Sequence, residues 1–591
     1  VNQTWLTPNR QRAFLLIIFV LLVSSSIVWT ISDQTPPPWD PSDHIRYGYD
    51  YYRLLATGDF RGFAHEFFEA PHFYAPLVHL MIALSFLVGG ASRLTALLPN
   101  FISLAVLLIS VKWMGQTTFS PGVKDSATSS TDHGKPHRPS SAMIIGILAA
   151  MIASCSHFSA WLLHDAFLDF PLTAAVAGSM ALLIRAGDFS SRRNAMHFAV
   201  SAGLGLLVKQ TFAFFFVLPA AYTVIRVAMT RDRRSIVNLL LAGLVIAAIA
   251  SIWYLPHLDD VMAIYRENQR AAIDENEAPL YSFDSSFFSV HALLSFQLQV
   301  PFALMMIAGL IYSLIRWRGP SLIIYLWLAG GLGMFALVAN KDVRYTVPVV
   351  PAAALLAACC LEPVLRSRNK RIVGAGYALA TGVAAWSLIS FFNALWPGPG
   401  GGTVINTPRY QWMVFARNYY GFDHRPLPDD WSVPAVVTTV AKRGPQSRPQ
   451  GSDSISGGPS RVSPKEGASP ALSSESDINK KPTLGVVVNL PHLNPSSTAL
   501  YARLLSPGRA AEPLVRIQWL VVDGSLDRLD ECDYVLARTG LDQADWVAPI
   551  EREFEQLVRL DPRRFTKLAS YPIPLKGAEA VIYQVNRAAR T

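Results

Sequence analysis

"AFLLIIFVLLVSSSIVWTISDQTPPPWDPSDHIRYGYDYYRLL" occupies residues 13–55. Its first part, 13–31, is a predominantly apolar run of about 19 residues preceded by Arg10 and Arg12. A bilayer-spanning helix needs about 20 apolar residues, whereas the core of a signal peptide has roughly 7–15. The run therefore reads as an uncleaved first spanning helix. The chain then passes through Pro36, Pro37 and Pro38 and sets Asp40, Asp43 and Arg46 at the lipid boundary. Charge is costly at such depth and is retained where it faces a cavity or a functional site. This loop is the first place to look for chemistry.

The whole chain supports a polytopic α-helical membrane protein. Of its 591 residues 51% are hydrophobic and 16% charged, against about 25% charged in soluble proteins. The formal net charge of +9 arises from Lys/Arg clusters between apolar segments, so it argues for cytoplasmic loops and against nucleic acid. Four cysteines are too few for a disulfide framework. Cys155, Cys359 and Cys360 stand in apolar runs and read as small buried hydrophobes.

Apolar segments fall at 13–31, 76–90, 94–114, 141–163, 168–186, 196–208, 211–229, 235–254, 299–317, 321–339, 346–364 and 372–395. Segment 76–90 is short, starts at Pro76 and contains His79. If it does not cross and the N-terminus is cytoplasmic, the basic clusters all fall in cytoplasmic loops. These are Lys112, Lys124 and Arg138; Arg185, Arg192 and Arg193; Arg226, Arg231, Arg233 and Arg234; Arg316 and Arg318; and Arg366, Arg368, Lys370 and Arg371. If it crosses, every cluster after the first moves outside. The positive-inside rule selects the first topology, with about eleven spans and 76–90 as a juxtamembrane or re-entrant helix on the outer face.

The Ser/Thr/Pro-rich stretch 116–142 reads as a cytoplasmic loop, and 255–288, acidic and aromatic, as an external one. Past Trp396 the chain is expected outside. Residues 1–395 form the transmembrane domain, 396–442 a connecting segment, and 443–482, rich in Ser, Pro and Gly, a flexible linker. Residues 483–591 alternate strand-like "TLGVVVNL", "IQWLVVD", "CDYVLAR" and "AEAVIYQV" with helix-like "SSTALYARLL" and "WVAPIEREFEQLVRL". That alternation predicts a small external α/β domain. It has no Gly-rich phosphate loop.

The chosen topology gathers polar residues at the outer boundary: Asp43, His72, His164, Asp165, Asp169, Lys209 and "NKDVRY" at 340–345. Taken singly, each could be a solvated helix end. Together they predict one outward-facing pocket in which a carboxylate can act as general base and Lys or Arg can bind phosphate. A transporter or lipid flippase would place its charged sites near the bilayer midplane, but Lys209, the charge nearest mid-run, sits at a span junction. A membrane-anchored binding protein would leave this cluster unexplained.

The same residues carry a family resemblance. "WDPSDHIRYGYDYYRLLATGDF" (39–60) resembles the first external loop of GT-C glycosyltransferases, especially the protein O-mannosyltransferase and lipid A aminoarabinose transferase branch, which reads like D-E-x-x-Y with a later G-D-W. Asp43 stands on the catalytic aspartate and His44 where Glu is usual. "FYAPLVHL" (73–80) is similar to the K-P-P-L segment, with Tyr74 and Ala75 in place of its first two residues, so one donor-phosphate cation is missing. "LDFPLTAA" (168–175) puts Asp169 on the second acidic position, and "GLGLLVKQTF" (203–212) puts Lys209 on the motif lysine. "KDVRYTVPVVPAAALL" (341–356) resembles R-Y-x-x-P-x-x-P, aligning Arg344 and Tyr345. The resemblance runs from 13 to 395, in order.

What the resemblance implies is transfer of a hexosyl or pentosyl unit from a polyprenyl-phosphate carrier to a lipid, protein or polysaccharide acceptor on the outer face of a bacterial inner membrane, with inversion. Asp43 would be the base. Asp169 would orient the acceptor, or hold a divalent cation together with Asp43. Lys209, Arg344, Tyr345, His72 and Arg46 would bind substrate.

The charge asymmetry generates a direct test. Cysteines introduced as Ser130→Cys and Pro470→Cys should react oppositely with a membrane-impermeant thiol reagent added from outside, with 470 labelled and 130 protected. Labelling of both from one side would overturn the topology.

Overall fold

The opening apolar run folds as the 25-residue helix Pro8–Ser32. At 1.5 Å per residue this is roughly 37 Å, enough to cross a hydrocarbon core of about 30 Å. A computed structural model describes residues 8–70, 74–119, 141–274, 277–316, 321–398, 402–415, 424–446, 481–508, 510–543 and 547–586. The chain divides into two compact units. One comprises Val1–Trp29, His72–Val78 and Pro99–Arg425, the other Thr30–Pro71, His79–Leu98 and Pro426–Thr591.

The first unit is helical and carries most of the membrane part. Among the described residues, six helices are long and apolar enough to cross a membrane: Asn9–Ser32, Arg93–Thr118, Asp169–Ala186, Phe212–Thr230, Arg233–Tyr254 and Lys370–Leu395. Two bent pairs raise the number to eight if each counts as one span. The protein is a multi-pass membrane protein; among the described residues six to eight helices have the length and apolarity of a full span, where the apolar runs led to an expectation of about eleven. The reason is local. The run 141–163 breaks by 58° between Ser141–Ser154 and His157–His164, where Ser156 caps the new helix by accepting from the Ser159 N–H. The run 299–317 meets Phe283–Gln297 at 115°. Others shorten to Leu322–Ala336 and Val347–Cys359, and Arg192–Leu206, at 15 residues, stays below the length of a full span. Helix Leu77–Gly89 has 13 residues, about 20 Å, too short to cross alone.

Small residues let these helices approach. A Cβ on Gly115 would lie 2.5 Å from Gly146 Cα, and one on Gly309 would lie 1.8 Å from the Leu356 carbonyl oxygen. Helices Leu98–Thr118 and Ser141–Ser154, and Gln299–Ile315 and Val350–Cys359, thus meet backbone to backbone, as small residues permit in membranes. At one end of the bundle Arg366 donates to Ser141 Oγ at 2.9 Å and to the Phe119 carbonyl at 2.8 Å, and pairs with Glu362 at 2.9 Å. Phe119 and Ser141, which flank the basic stretch 120–140 in sequence, therefore both contact Arg366, the first residue of the basic stretch 366–371. Cys155 and Cys359 are buried as small apolar residues and Cys360 is half-buried.

The second unit contains the α/β fold. Strands β3 (Thr483–Val486), β4 (Arg516–Gln518), β5 (Tyr534–Arg538), β6 (Phe565–Pro572) and β7 (Glu579–Val585) form one sheet in the order β4-β3-β5-β7-β6. A separate hairpin in the first unit pairs β1 (Val404–Asn406) with β2 (Gln411–Met413). In the sheet β3 is parallel to both β4 and β5, while β7 runs antiparallel to β5 and β6. Period-2 alternation sends Leu484, Val486, Tyr534, Leu536, Ala580 and Ile582 to one face and Val487, Val535, Ala537 and Val585 to the other. Helices Val433–Arg443 and Pro495–Leu504 cover the first face, and Pro549–Leu560 covers the second. Three of the five strands, β3, β5 and β7, follow the alternating segments of the sequence, whereas β4 keeps only Ile517 and Gln518 of "IQWLVVD", whose Leu520–Asp523 is helical. β6 was not anticipated, because "FTKLASYP" (565–572) carries Lys567 and Pro572 and has a bulge between Lys567 and Ala569. Helix Val433–Arg443 packs its valines on the sheet, so the α/β fold recruits residues that precede the expected linker.

Most of that linker, 447–480, lies outside the described residues, but its two ends meet. Asp533 Oδ1 accepts from the Gln446 backbone N–H at 3.3 Å and Oδ2 from the Thr483 N–H at 2.8 Å, while Gln446 Nε2 donates to the Asp533 carbonyl at 2.8 Å. One residue thus closes the gap. Replacing 448–479 by a short Gly/Ser bridge should leave membrane expression and thermal melting unchanged within a few degrees. Loss of expression would mean that the segment contributes to the fold.

Candidate active site

The first loop after helix Pro8–Ser32 is itself helical over Trp39–Thr57. Pro38 stands at its N-cap and Asp40 in the first turn of helix Trp39–Thr57, where a negative charge meets the positive end of the helix dipole. Gly58 ends the helix in the left-handed region at φ 71°, its N–H bonded to the carbonyls of Leu54 and Leu55. The next residue, Asp59, accepts from the Gly62 N–H at 2.8 Å and starts helix Phe60–Phe68. The "GD" of the loop motif is thus a stop followed by a start. Gly48 lets Ile82 of helix Leu77–Gly89 approach, since a Cβ there would lie 2.4 Å from Ile82 Cγ2.

On this helix Asp43, Arg46 and Asp50 share one face at i, i+3 and i+7. Arg46 Nε donates to Asp43 Oδ1 at 3.0 Å, and its Nη1 lies 3.9 Å from Asp50 Oδ2. Ser496 Oγ, from the α/β fold, donates to Asp43 Oδ2 at 2.8 Å. Arg503 grips Asp50 with Nε and Nη2 at 2.8 and 3.0 Å. The Arg46 guanidinium also lies 4.3 Å from the Tyr47 ring centroid and 5.6 Å from that of Trp519. His44, where the family motif has Glu, meets His79 with Nδ1 and Nε2 3.1 Å apart. Burial pushes the Asp43 carboxyl above its ordinary range. Arg46 and the Ser496 hydroxyl pull it back in part, and Asp40 adds a small upward push.

A second cluster forms in the helical unit. Lys209 Nζ bonds Asp169 Oδ1 at 2.8 Å, with the two side chains 11% and 2% exposed. The ammonium lies 5.3 Å from the Tyr345 ring centroid. Arg344 pairs through Nε with Asp342 Oδ2 at 2.8 Å and lies 4.5 Å from the centroid of Phe167. Three motif segments far apart in sequence, 168–175, 203–212 and 341–356, therefore supply one patch. Asp169 opens helix Asp169–Ala186, while Lys209 lies in the break between Arg192–Leu206 and Phe212–Thr230.

The expected site residues are thus distributed over both units, Asp43 and Arg46 in one, Asp169, Lys209, Arg344 and Tyr345 in the other. His72 lies outside the described residues. Sequence reasoning missed Ser496, Arg503 and Trp519. The only signal for the first two was that they stand seven residues apart, as Asp43 and Asp50 do. Among the described residues no group of three or more His, Cys, Asp or Glu is arranged to hold a metal ion.

The helices of the first unit and the sheet of the second belong to a fold that is found among solved membrane-protein structures. The apo crystal structure of ArnT from Cupriavidus metallidurans has this fold, with a TM-score of 0.51 at 16% identity, covering 97% of this chain and 98% of that one. The same ArnT bound to undecaprenyl phosphate aligns with a TM-score of 0.49 at 16% identity, over 97% and 98% of the two chains. Arabinosyltransferase EmbB from Mycobacterium smegmatis, solved by cryo-EM, aligns at 0.40 and 16% identity over 67% of this chain and 34% of that one. No protein-family model and no curated protein sequence matches the chain.

The Asp169–Lys209 pair has a measurable consequence. Removing one partner of a buried pair leaves the other charge uncompensated, at a cost of about 3–5 kcal/mol, whereas removing both does not. Asp169→Asn and Lys209→Met should each lower the melting temperature in detergent, and the double variant should regain most of the loss. Additive losses would show that the two charges do not depend on each other.

Proposed function

We propose that the protein is a glycosyltransferase that moves a hexosyl or pentosyl unit from a polyprenyl-phosphate carrier to an acceptor on the outer face of a bacterial inner membrane, inverting the anomeric centre. The observation that carries this reading is the Asp43 carboxylate held between Arg46 and Ser496. It stands at the motif position of the first external loop in a chain with the fold of ArnT. The acceptor belongs to the hydroxyl-bearing lipids, proteins or polysaccharides. The outward side of the site follows from the charge asymmetry of the loops.

In this reading Asp43 takes the proton of the acceptor hydroxyl as its oxygen bonds to the anomeric carbon. The bond from that carbon to the phosphate oxygen breaks with its electron pair, and polyprenyl phosphate leaves. A single displacement inverts the centre. Each Asp43 oxygen accepts one bond in the structure, and a carboxylate oxygen has two lone pairs, so the group can still take a proton. Lys209 and Arg344 neutralise the leaving phosphate. An ammonium has three N–H donors, and Asp169 takes one of them, so Lys209 can hold Asp169 and a phosphate oxygen together. Asp169 orients the acceptor. Arg46 and Tyr345 complete the substrate contacts, and His72 is proposed from its motif position alone.

Asp43→Asn keeps the shape of the side chain and removes the proton acceptor. Transfer from a labelled polyprenyl-phosphate sugar by the purified variant should fall about 10²–10⁴-fold, the usual cost of losing a general base, with donor-lipid binding retained. In the wild type, kcat/KM should fall as pH drops through the Asp43 pKa. Because burial raises that pKa, the acid limb should lie above the usual carboxylate value of about 4. Near-normal turnover in Asp43→Asn would end the assignment.

A further inference from the structure

Helix Trp39–Thr57 presents Asp43 and Asp50 seven residues apart, and helix Pro495–Leu504 presents Ser496 and Arg503 at the same spacing. Seven residues are close to two helical turns, so each pair lies on one face of its helix. The two faces meet in register. Ser496 reaches Asp43 at 2.8 Å, and Arg503 reaches both oxygens of Asp50 at 2.8 and 3.0 Å. The neighbouring turns add Tyr49 Oη to the Ala511 carbonyl at 3.0 Å, and Arg53 to Glu512. Asn494 caps the second helix with a reciprocal capping box, which holds Ser496 in its first turn. The α/β fold is therefore joined to the first-loop helix along a matched row of polar contacts.

We propose that Ser496 and Arg503 are positioning residues for the Asp43 carboxylate, so that the α/β domain sets the orientation and the charge of the base. This rests on the assignment of Asp43 as base.

Each residue acts by a separate route. The Ser496 hydroxyl donates to Oδ2 and stabilises the ionised carboxylate while fixing its rotation. Arg503 neutralises Asp50 in a bidentate pair, so the Arg46 guanidinium, 3.9 Å from Asp50 and 3.0 Å from Asp43, is left to serve Asp43. The charged and titratable groups that act on Asp43 from its own helix are Asp40, Arg46, Tyr47 and Asp50. The packed helix contributes Ser496 and Arg503, and Trp519 flanks Arg46. Tyr47 is pushed above the ordinary phenol range, first by burial. It stays neutral across the range in which a carboxylate titrates.

The test is the pH profile of kcat/KM for sugar transfer by the full-length protein. Ser496→Ala removes a donor to the ionised carboxylate, so the acid limb should rise by about one pH unit, while Ser496→Thr, which keeps a hydroxyl, should restore it. Arg503→Gln should move the limb in the same direction, because the uncompensated Asp50 then competes for Arg46. Donor-lipid binding should not change in any of them. A merely structural role would lower the plateau without moving the limb. If Asp43→Asn is inactive but the limb of Ser496→Ala stays at the wild-type pH, the positioning role is overturned. If Asp43→Asn is active, the base assignment itself fails.

Discussion

An ionised side chain withdrawn from water must find an opposite charge or a set of donors, or the fold that buries it is destabilised by several kcal/mol. That constraint organises this protein. Asp33 is held by Arg93 at 2.7 Å, Asp50 by Arg503 at 2.8 Å, Asp169 by Lys209 at 2.8 Å and Arg538 by Glu551 at 2.8 Å. Each pair ties together elements that are not neighbours along the chain. In a molecule so poor in charge, the charged residues that remain mark where segments are joined.

The same constraint acts on Asp43. A carboxylate with no partner there would take up a proton and lose its basicity. A carboxylate locked in a closed, bidentate pair would have less capacity to accept one. Asp43 lies between these limits, with one bond from Arg46 and one from Ser496. Burial raises its proton affinity and the two donors restrain the rise, which suits a group that must be ionised yet basic.

Helix breaks do comparable work on the membrane side. Lys209 and the segment 340–345 lie where helices stop, and Asp169 lies where one begins. Irregular backbone at helix ends leaves polar groups in need of partners, and side chains of either sign are stabilised there. Short and bent helices therefore follow from the chemistry as much as from packing.

Much of this was legible in the order of residues. Apolar runs identified the helices, because burial in lipid demands about 20 apolar residues whatever the surrounding fold. Alternation identified β3, β5 and β7, and Gly58–Asp59 punctuated the first loop. The order of the motifs indicated a fold that the ArnT structure shares, and it is the ground for proposing Asp43, Asp169, Lys209 and Arg344 as site residues. Hydropathy could not show where a run bends, since the kink at Ser156 depends on one hydroxyl capping a new turn. Nor could it reveal which partner each charge takes. Asp169 and Lys209 are 40 residues apart, and Asp43 and Ser496 are 453 apart. Periodicity specifies the face of a helix, but an ion pair or hydrogen bond exists only where two faces come within about 3–4 Å, and that is decided by tertiary packing.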